Sequence, residues 1–406
     1  MERDADPHPR ARPRDARRRR RAAGSGRRAR WLRAPLLARP CRTHLRGVQR
    51  DPAQHHRRAL ARPAEGALVD FEFDEDQVAF GAAVRRFLDA KLPPSRLRTI
   101  WDEGQGYRHE VWRELAGLGV AGSLVDEAHG GSGGRLTDLV LVLGELGTHA
   151  VPEPAVETAV VAPLVLSGFG APALQQEWLP QIAAGDTIVA VAARPEGARV
   201  PDGATADVTL VRSGHEVHLV RPQRVTARPL AGADPSRRLA ECDYRLDDST
   251  LVTVDPAASL LIDTAGAAGT AALLVGLCDR LVDLTREHLL TRQQFGRPLA
   301  EFQVLKHRLV DVAVAVEAAR SLTWNAGYRV GVGDPGAAMA ARAAKAAASE
   351  AASRAGAAAL QLHGGIGFTW EHDLHLWLQR AMSWERSFGI ARELRAQMGA
   401  ELLEAK

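Results

Sequence analysis

The sequence predicts a mainly α-helical protein with a small β-domain in its middle: an N-terminal helical domain, a β-barrel or sandwich, and a C-terminal four-helix bundle. Three observations carry this expectation. Apolar stripes of helical period run before residue 186 and after residue 256. Between them lie short, alternating, β-branched segments. In the last third of the chain, two glycine-containing phrases sit at junctions between long helical stretches. The expected divisions are an Arg/Pro-rich leader over 1–68, the helical domain over 69–185, the β-domain over 186–256 and the bundle over 257–406.

The leader is a separate problem of charge. The formal net charge of +4 averages two dissimilar pieces: residues 1–68 hold 20 arginines against 6 acidic residues, a net of +14, and residues 69–406 carry a net of −10. The run Arg17 to Arg21 and its surroundings have no apolar period that could specify a fold. Such a run can neutralise phosphates or serve as an acid-poor targeting peptide. Its lysine-free Arg/Ala/Pro text reads instead as upstream sequence translated from an early start codon, with the natural start near Val69, so no nucleic-acid partner is expected.

The helical domain opens at Phe73 to Leu92, where Asp74 is placed to cap and Gln77 completes a capping box, and Pro93-Pro94 ends the run. Further helices are expected at Arg108 to Leu118, Leu136 to Leu146, Ala155 to Leu166 and Ala173 to Ala183, with the cluster Gly130 to Gly134 and prolines as separators. Strands are expected at 187–191, 208–211, 216–220 and 251–254. Four long periodic stretches follow, at Ala257 to Leu290, Phe302 to Arg329, the alanine-dominated Ala337 to Leu362, and His372 to Leu403.

Composition excludes several classes. Cys41, Cys242 and Cys278 are odd in number and far apart, which argues against a disulfide framework or a zinc site and for a reducing cytoplasm; no metal is expected. The longest nearly apolar run, Ala265 to Cys278, is 14 residues, so no membrane segment is predicted.

The junction phrases carry the chemistry. Arg292-Gln293-Gln294-Phe295-Gly296 with Gln303, and Gln361-Leu362-His363-Gly364-Gly365-Ile366-Gly367-Phe368, supply a guanidinium, an aromatic ring, two amides and a close-approach backbone. A guanidinium is a planar donor fork for phosphate oxygens, and a missing Cβ lets N–H groups approach an anion. The plainer reading is that Arg292 neutralises a helix C-terminus and Gly364-Gly365 is a helix-ending turn.

The order of domains together with these phrases resembles the acyl-CoA dehydrogenase family of flavoproteins over about residues 70 to 400. Arg292-x-x-Phe295-Gly296-x-x-Leu299-x-x-Phe302-Gln303 and Gln361-x-x-Gly364-Gly365-x-Gly367-Phe368 are similar to the family's segments between bundle helices. Leu143-Gly144-Glu145-Leu146-Gly147 and Trp178-Leu179-Pro180-x-x-Ala183-x-Gly185-Asp186 add to the resemblance.

That resemblance implies FAD as cofactor, an acyl-CoA thioester as substrate, electron-transfer flavoprotein or a similar acceptor, and a homo- or hetero-tetramer. It implies that Arg292 and Gln303 contact the FAD pyrophosphate and adenine half across a subunit interface, with Phe295 packed beside the ring and Gln361, Gly364 and Gly365 contributing from the neighbouring bundle. The family's reaction is α,β-dehydrogenation: a carboxylate takes the α-proton while the β-hydrogen leaves as hydride to flavin N5. The catalytic glutamate of the common family pattern falls on Phe388, just before Gly389, and the family's alternative position falls near Gly266. Neither can accept a proton. Glu385 and Asp263, each about one helical turn from these positions, are the substitute candidates, with solvated helix charges as the other reading. The flavin-contacting Thr-Glu-Pro-x-Ala-Gly-Ser type segment survives only as Ala193-Arg194-Pro195-Glu196-Gly197-Ala198-Arg199.

Two catalytic readings follow, a displaced carboxylate or a non-catalytic subunit that completes the FAD site of a hetero-oligomer; a family-like flavin oxidase or monooxygenase is a third. The small residues Gly266, Ala267, Ala268 and Gly269 leave room for a branched, cyclic or steroid-like acyl group, and helix packing explains them equally well.

Overall fold

The computed structural model of the chain describes residues 72–103 and 110–404, all within the compact unit Asp70–Lys406. The arginine-rich leader, its proposed start at Val69, and the predicted helix start at Arg108 lie outside the described residues.

The first helix, α1 (Glu75–Lys91), begins as its sequence dictates. The Asp74 carboxylate accepts from Gln77 N at 2.8 Å and the Gln77 amide oxygen accepts from Asp74 N at 3.0 Å, satisfying two donors that a helix start leaves open. Pro94 does not merely end the run: it occupies the first position of a further helix, α2 (Pro94–Glu103), where a missing N–H costs nothing. Helices α3 (Glu110–Gly117), α4 (Leu136–Thr148), α5 (Ala162–Phe169) and α6 (Pro172–Ala183) complete this part. The stretch expected as one helix from Ala155 starts with a π-helical turn, Glu157–Val161, in which Ala162 N donates to Glu157 O. Pro163, at the start of α5, has no N–H for the α-helical ladder, and the wider turn precedes it.

The middle region forms two sheets. β1 (Val189–Ala192), β3 (Val208–Ser213), β4 (Glu216–Val220) and β7 (Leu251–Thr253) make a four-stranded sheet in the order β1-β3-β4-β7, with β1 parallel to β3 and the rest antiparallel. β2 (Ala198–Val200), β5 (Val225–Pro229) and β6 (Ala240–Tyr244) make an antiparallel sheet in the order β2-β6-β5. Each strand expected from the sequence is present; the second sheet was not expected, because β5 is an exposed, Arg- and Pro-containing strand and β2 has only three residues.

The bundle consists of α7 (Pro256–Thr291), α8 (Gln303–Gly331), α9 (Ala337–His363) and a fourth member broken into α10 (Leu374–Trp384) and α11 (Ala391–Glu404). The break corrects the single helix expected from His372 to Leu403: Phe388 and Gly389 have φ of 52° and 99°, which no α-helix contains. Helix α7 is the core. Its 36 residues are long and apolar enough to cross a membrane by composition, yet 83% of that apolar window is buried inside the protein. It crosses α4 at backbone contact distance, since a Cβ on Gly276 would overlap Gly144 O and one on Gly147 would overlap Leu273 O. The Leu143 to Gly147 phrase is therefore a packing signal.

A buried charge network joins the three parts. The Arg380 guanidinium of α10 donates to Asp234 and Ser236, in the loop between β5 and β6, and to Val151 O, while Arg237 of the same loop pairs with Glu157 at 3.2 Å. Breaking one partner of such a buried pair strands the other charge, at a cost of about 3–5 kcal/mol.

Candidate functional site

Two features define the bundle end at which α7 and α9 terminate. After α7, Arg292 caps the helix, and Gln293–Gln294 pairs with Arg297–Pro298 as a two-residue hairpin. Its central residues, Phe295 and Gly296, both have positive φ, 53° and 77°, the geometry that tight hairpins demand and that a phenylalanine adopts only under strain. The Phe295 ring nonetheless projects outward, 90% exposed, and meets Phe302 edge-to-face with ring centroids 6.1 Å apart. Arg292 and Gln303 are exposed beside it.

After α9, the turn Gly364–Phe368 presents exposed Gln361, Gly364 and Gly365. Gly364 is demanded by its φ of 63°, ψ −143°, a region for glycine alone. Gly367 is demanded by packing, since a Cβ there would sit 3.0 Å from the His363 Cβ. Gly365 is demanded by neither: its φ is not positive and nothing lies within 4 Å of a Cβ built on it. The chain itself gives no reason for glycine at 365, whereas a molecule docking against its backbone would.

Imidazoles link the two phrases. His288, one turn before Arg292, stacks on His363 at 4.5 Å, and His372 meets His363 edge-on at 4.8 Å. His363 is 5% exposed, its Nδ1 lies 2.7 Å from Ala359 O, and its Nε2 has no partner among the described residues. Burial pushes its pKa down to about 4, opposed by the Ala359 hydrogen bond and reinforced by the two neighbouring imidazoles. Sequence reasoning missed this row; its signal was three histidines placed at the ends of the two phrases. Arg292, Phe295, Gln303, Gln361, Gly364 and Gly365 thus share one exposed bundle end.

The two positions at which the resemblance places a base, Phe388 and Gly266, are arranged in the opposite way. Gly266 and Phe388 touch: a Cβ on Gly266 would run into the Phe388 ring. Further along α7, a Cβ on Gly269 would stand 3.0 Å from Val156. The small residues at 266 and 269 therefore serve packing, and the room expected there for a bulky acyl group is taken up by Phe388 and Val156.

Of the two carboxylate candidates, Asp263 is exposed and accepts from Arg212 of β3 at 2.6 Å. It lines a cavity of about 290 Å³ together with Arg212, Ala267, Arg342, Phe388 and Gly389. Glu385 does not line that cavity. Its carboxylate accepts from Ser353 of α9 at 2.8 Å, so the helical spacing to Phe388 does not put it on the same face once the helix breaks. Burial raises its pKa, with Ser353, Lys345 and Arg386 opposing.

Lys345, which sequence reasoning passed over, is 0% exposed; burial lowers its pKa to about 7 and Glu385 opposes the shift. In the 193–199 segment, Arg194 donates to Gly197 O at 2.7 Å and Gly197 N donates to Asp243 at 2.7 Å, beside a cavity of about 370 Å³ lined also by Arg199 and Glu241.

Comparison with known proteins bears on this geometry. Residues 74–186 match the model of the acyl-CoA dehydrogenase N-terminal domain and residues 264–402 that of the C-terminal domain. The chain is 36% identical over 318 residues to acyl-CoA dehydrogenase IpdE2 of Mycobacterium tuberculosis, covering 77% of this chain and 92% of the relative. Among solved structures, the ChsE4-ChsE5 complex from Mycobacterium tuberculosis matches with a TM-score of 0.76 at 28% identity, over 83% of this chain and 99% of the matched one. An FAD complex of PigA shares the fold, with a TM-score of 0.73 at 19% identity, over 82% of this chain and 99% of that chain. With the family's N-terminal and C-terminal domains matched in order and a relative at this identity, the chain belongs to the acyl-CoA dehydrogenase family of flavoprotein oxidoreductases.

Proposed function

We propose that this chain is one subunit of a hetero-oligomeric acyl-CoA dehydrogenase, in which it completes the FAD site of a partner chain and the partner supplies the base. The observation that carries the reading is the contact between Phe388 and Gly266, which removes both base positions while the cofactor-type corner stays intact and open. A relative solved as a complex of two differently named chains supports it.

The residues present suit the pyrophosphate half of FAD. Arg292 is exposed and without a carboxylate partner among the described ion pairs, Gln303 and Gln361 have free amide capacity, and Gly365 leaves a backbone surface that only an external group would use. When bound, FAD would supply the hydride acceptor. This chain's own part is to hold the phosphates with Arg292, to orient the adenine side with Gln303 and Gln361, and to shield the site with Phe295. Acyl-CoA binding, proton abstraction and delivery of electrons to electron-transfer flavoprotein or a similar acceptor fall to the assembly.

The fate of the acyl group also follows from the packing. With Phe388 and Val156 on the small residues of α7, the size of the acyl pocket is set by the partner. The test is purification of this chain alone and with the chain that co-purifies with it, measuring flavin per subunit and dehydrogenation of a panel of acyl-CoA thioesters. The expected result is activity only in the mixed assembly, with the chain alone lower by about 10²–10⁴-fold, the contribution of a positioned base. Stoichiometric FAD and full activity from this chain alone would refute the reading.

A further inference from the structure

We propose that Phe388 is a stopper in the disused acyl chamber of this chain, and that Lys345 is the positioning residue that holds it there. The inference rests on the reading that this chain does not perform the chemistry, and it adds a device: the empty chamber is closed by a specific, braced side chain.

The bracing is visible in the loop between α10 and α11. Lys345, in the first third of the alanine-rich α9, donates its three ammonium hydrogens to Ser349 Oγ at 2.9 Å, Glu385 O at 3.0 Å and Gly389 O at 3.1 Å. The two carbonyls lie on either side of Phe388, three residues before it and one after. Ser353, two turns further along α9, holds the Glu385 carboxylate as well. A lysine is buried only when its charge is met by good acceptors, so this one has a definite task.

The task is to maintain an unfavourable conformation. Phe388 has φ of 52°, a left-handed value that costs a bulky residue about 1–3 kcal/mol and persists only when its surroundings over-determine it. The conformation lays the ring on Gly266, whose missing side chain is the seat for it. A plain helix–helix contact would need neither the left-handed residue nor the buried ammonium. The residual cavity of about 290 Å³ lies beyond the ring, with Asp263 and Arg212 at its wall, so removing the ring would extend that cavity to the backbone of Gly266.

The test uses the purified full chain and the n-octyl thioether of CoA, which cannot be dehydrogenated, with bound ligand counted by equilibrium dialysis. The unaltered chain is expected to show no saturable binding and Phe388→Gly to bind one thioether per chain; glycine is tolerated at that φ, so this variant is expected to fold. Lys345→Met is expected to gain binding, and Lys345→Gln, which keeps two donors, to gain less. Should Lys345→Met fail to fold, amide exchange at 386–390 in Lys345→Gln is the readout, expected to speed up relative to neighbouring segments.

Saturable binding by the unaltered chain, or Phe388→Gly binding no better than it, overturns the stopper. Binding by Phe388→Gly with none by a folded Lys345→Met, or unchanged exchange in Lys345→Gln, overturns the role of Lys345. Dehydrogenation of octanoyl-CoA by the unaltered chain at the full rate of the mixed assembly, assayed alongside, overturns the proposed function instead, so the two failures are distinguishable.

Discussion

The bundle end around Arg292 and the loop around Phe388 are both built at helix ends with left-handed residues, yet one is open and the other closed. At the open end, Phe295 takes positive φ to put its ring into solvent, and Gly365 is small for no reason within the chain. At the closed loop, Phe388 takes positive φ to put its ring onto Gly266, and a buried lysine satisfies the loop carbonyls. The left-handed residue directs its ring toward solvent in the first case and toward the chain itself in the second. On the proposed function, the surface that completes a neighbour's site and the chamber that does chemistry are parts that can be kept or lost independently.

The comparison can be broken most severely at Arg292. Arg292→Gln is expected to lower flavin retention of the mixed assembly by about 10–100-fold, the worth of one charge-assisted hydrogen bond or two, while leaving the melting temperature of the isolated chain unchanged because the side chain is exposed. Flavin absorbance after dialysis, read beside a melt, checks both halves. A melt that drops without flavin loss would show Arg292 to be only a helix-end charge.

Next in size is Gly266→Ala, which forces the Phe388 ring off its seat at a cost of about 1–3 kcal/mol by denaturant unfolding. The double variant with Phe388→Gly is expected to recover part of that loss, since touching residues do not add. Strict additivity would mean that the ring and the glycine do not share a contact in solution.

A finer pair separates the glycines of one turn. Gly367→Ala is expected to destabilise the chain by about 1 kcal/mol, with His363 Cβ and Leu360 O in the way at 3.0 and 3.1 Å. Gly365→Ala is expected to leave the isolated chain as stable as before and to weaken assembly or flavin retention. Equal destabilisation by both would place Gly365 in the chain's own packing and close the open end.

Much of this was legible in the sequence, for reasons that differ by residue. The capping box at Asp74 and Gln77 is local chemistry, and it appears as read. Residues 292–303 and 361–368 stood out because they combine unusual residue types in a fixed spacing, and the fold brings the two phrases to one end of the bundle. What stayed hidden depends on contacts between distant segments. Nothing in the run Ala343-Ala344-Lys345-Ala346 says that this lysine turns inward, since on sequence it is one more solvated helix charge. Nor does helical spacing show that α10 stops at Trp384, which turns Glu385 toward Ser353 and leaves the cavity to Asp263. The small residues of α7 read equally as a chamber or as a seat, and only the position of the Phe388 and Val156 side chains decides for the seat.

The smallest expected effect is on acid stability, and it tests whether the open end behaves as one unit. The His363 ring is faced by His288 of α7 and by His372 of the loop before α10; Arg292 bears on His288, and Asp373, His375 and Arg98 bear on His372. Burial lowers the pKa of all three imidazoles, His363 to about 4 against an ordinary 6.5. Between those values the unfolded chain holds a proton that folded His363 does not, so stability is full above about pH 6.5 and is lost as pH falls toward 4. Half-open His288 and His372 share their cost with water and add little to the loss that buried His363 contributes. His363→Phe keeps a ring in the stack and removes the titrating group, so its melting temperature is expected to fall less than that of the unaltered chain between pH 7 and pH 5. Equal slopes would mean that the proton is taken up elsewhere and that the imidazole row is packing alone. A shallower slope accompanied by flavin retained to lower pH in the mixed assembly would tie the row to the adjoining corner, because a charged ring next to Gly364 would otherwise disturb the turn proposed to hold the cofactor.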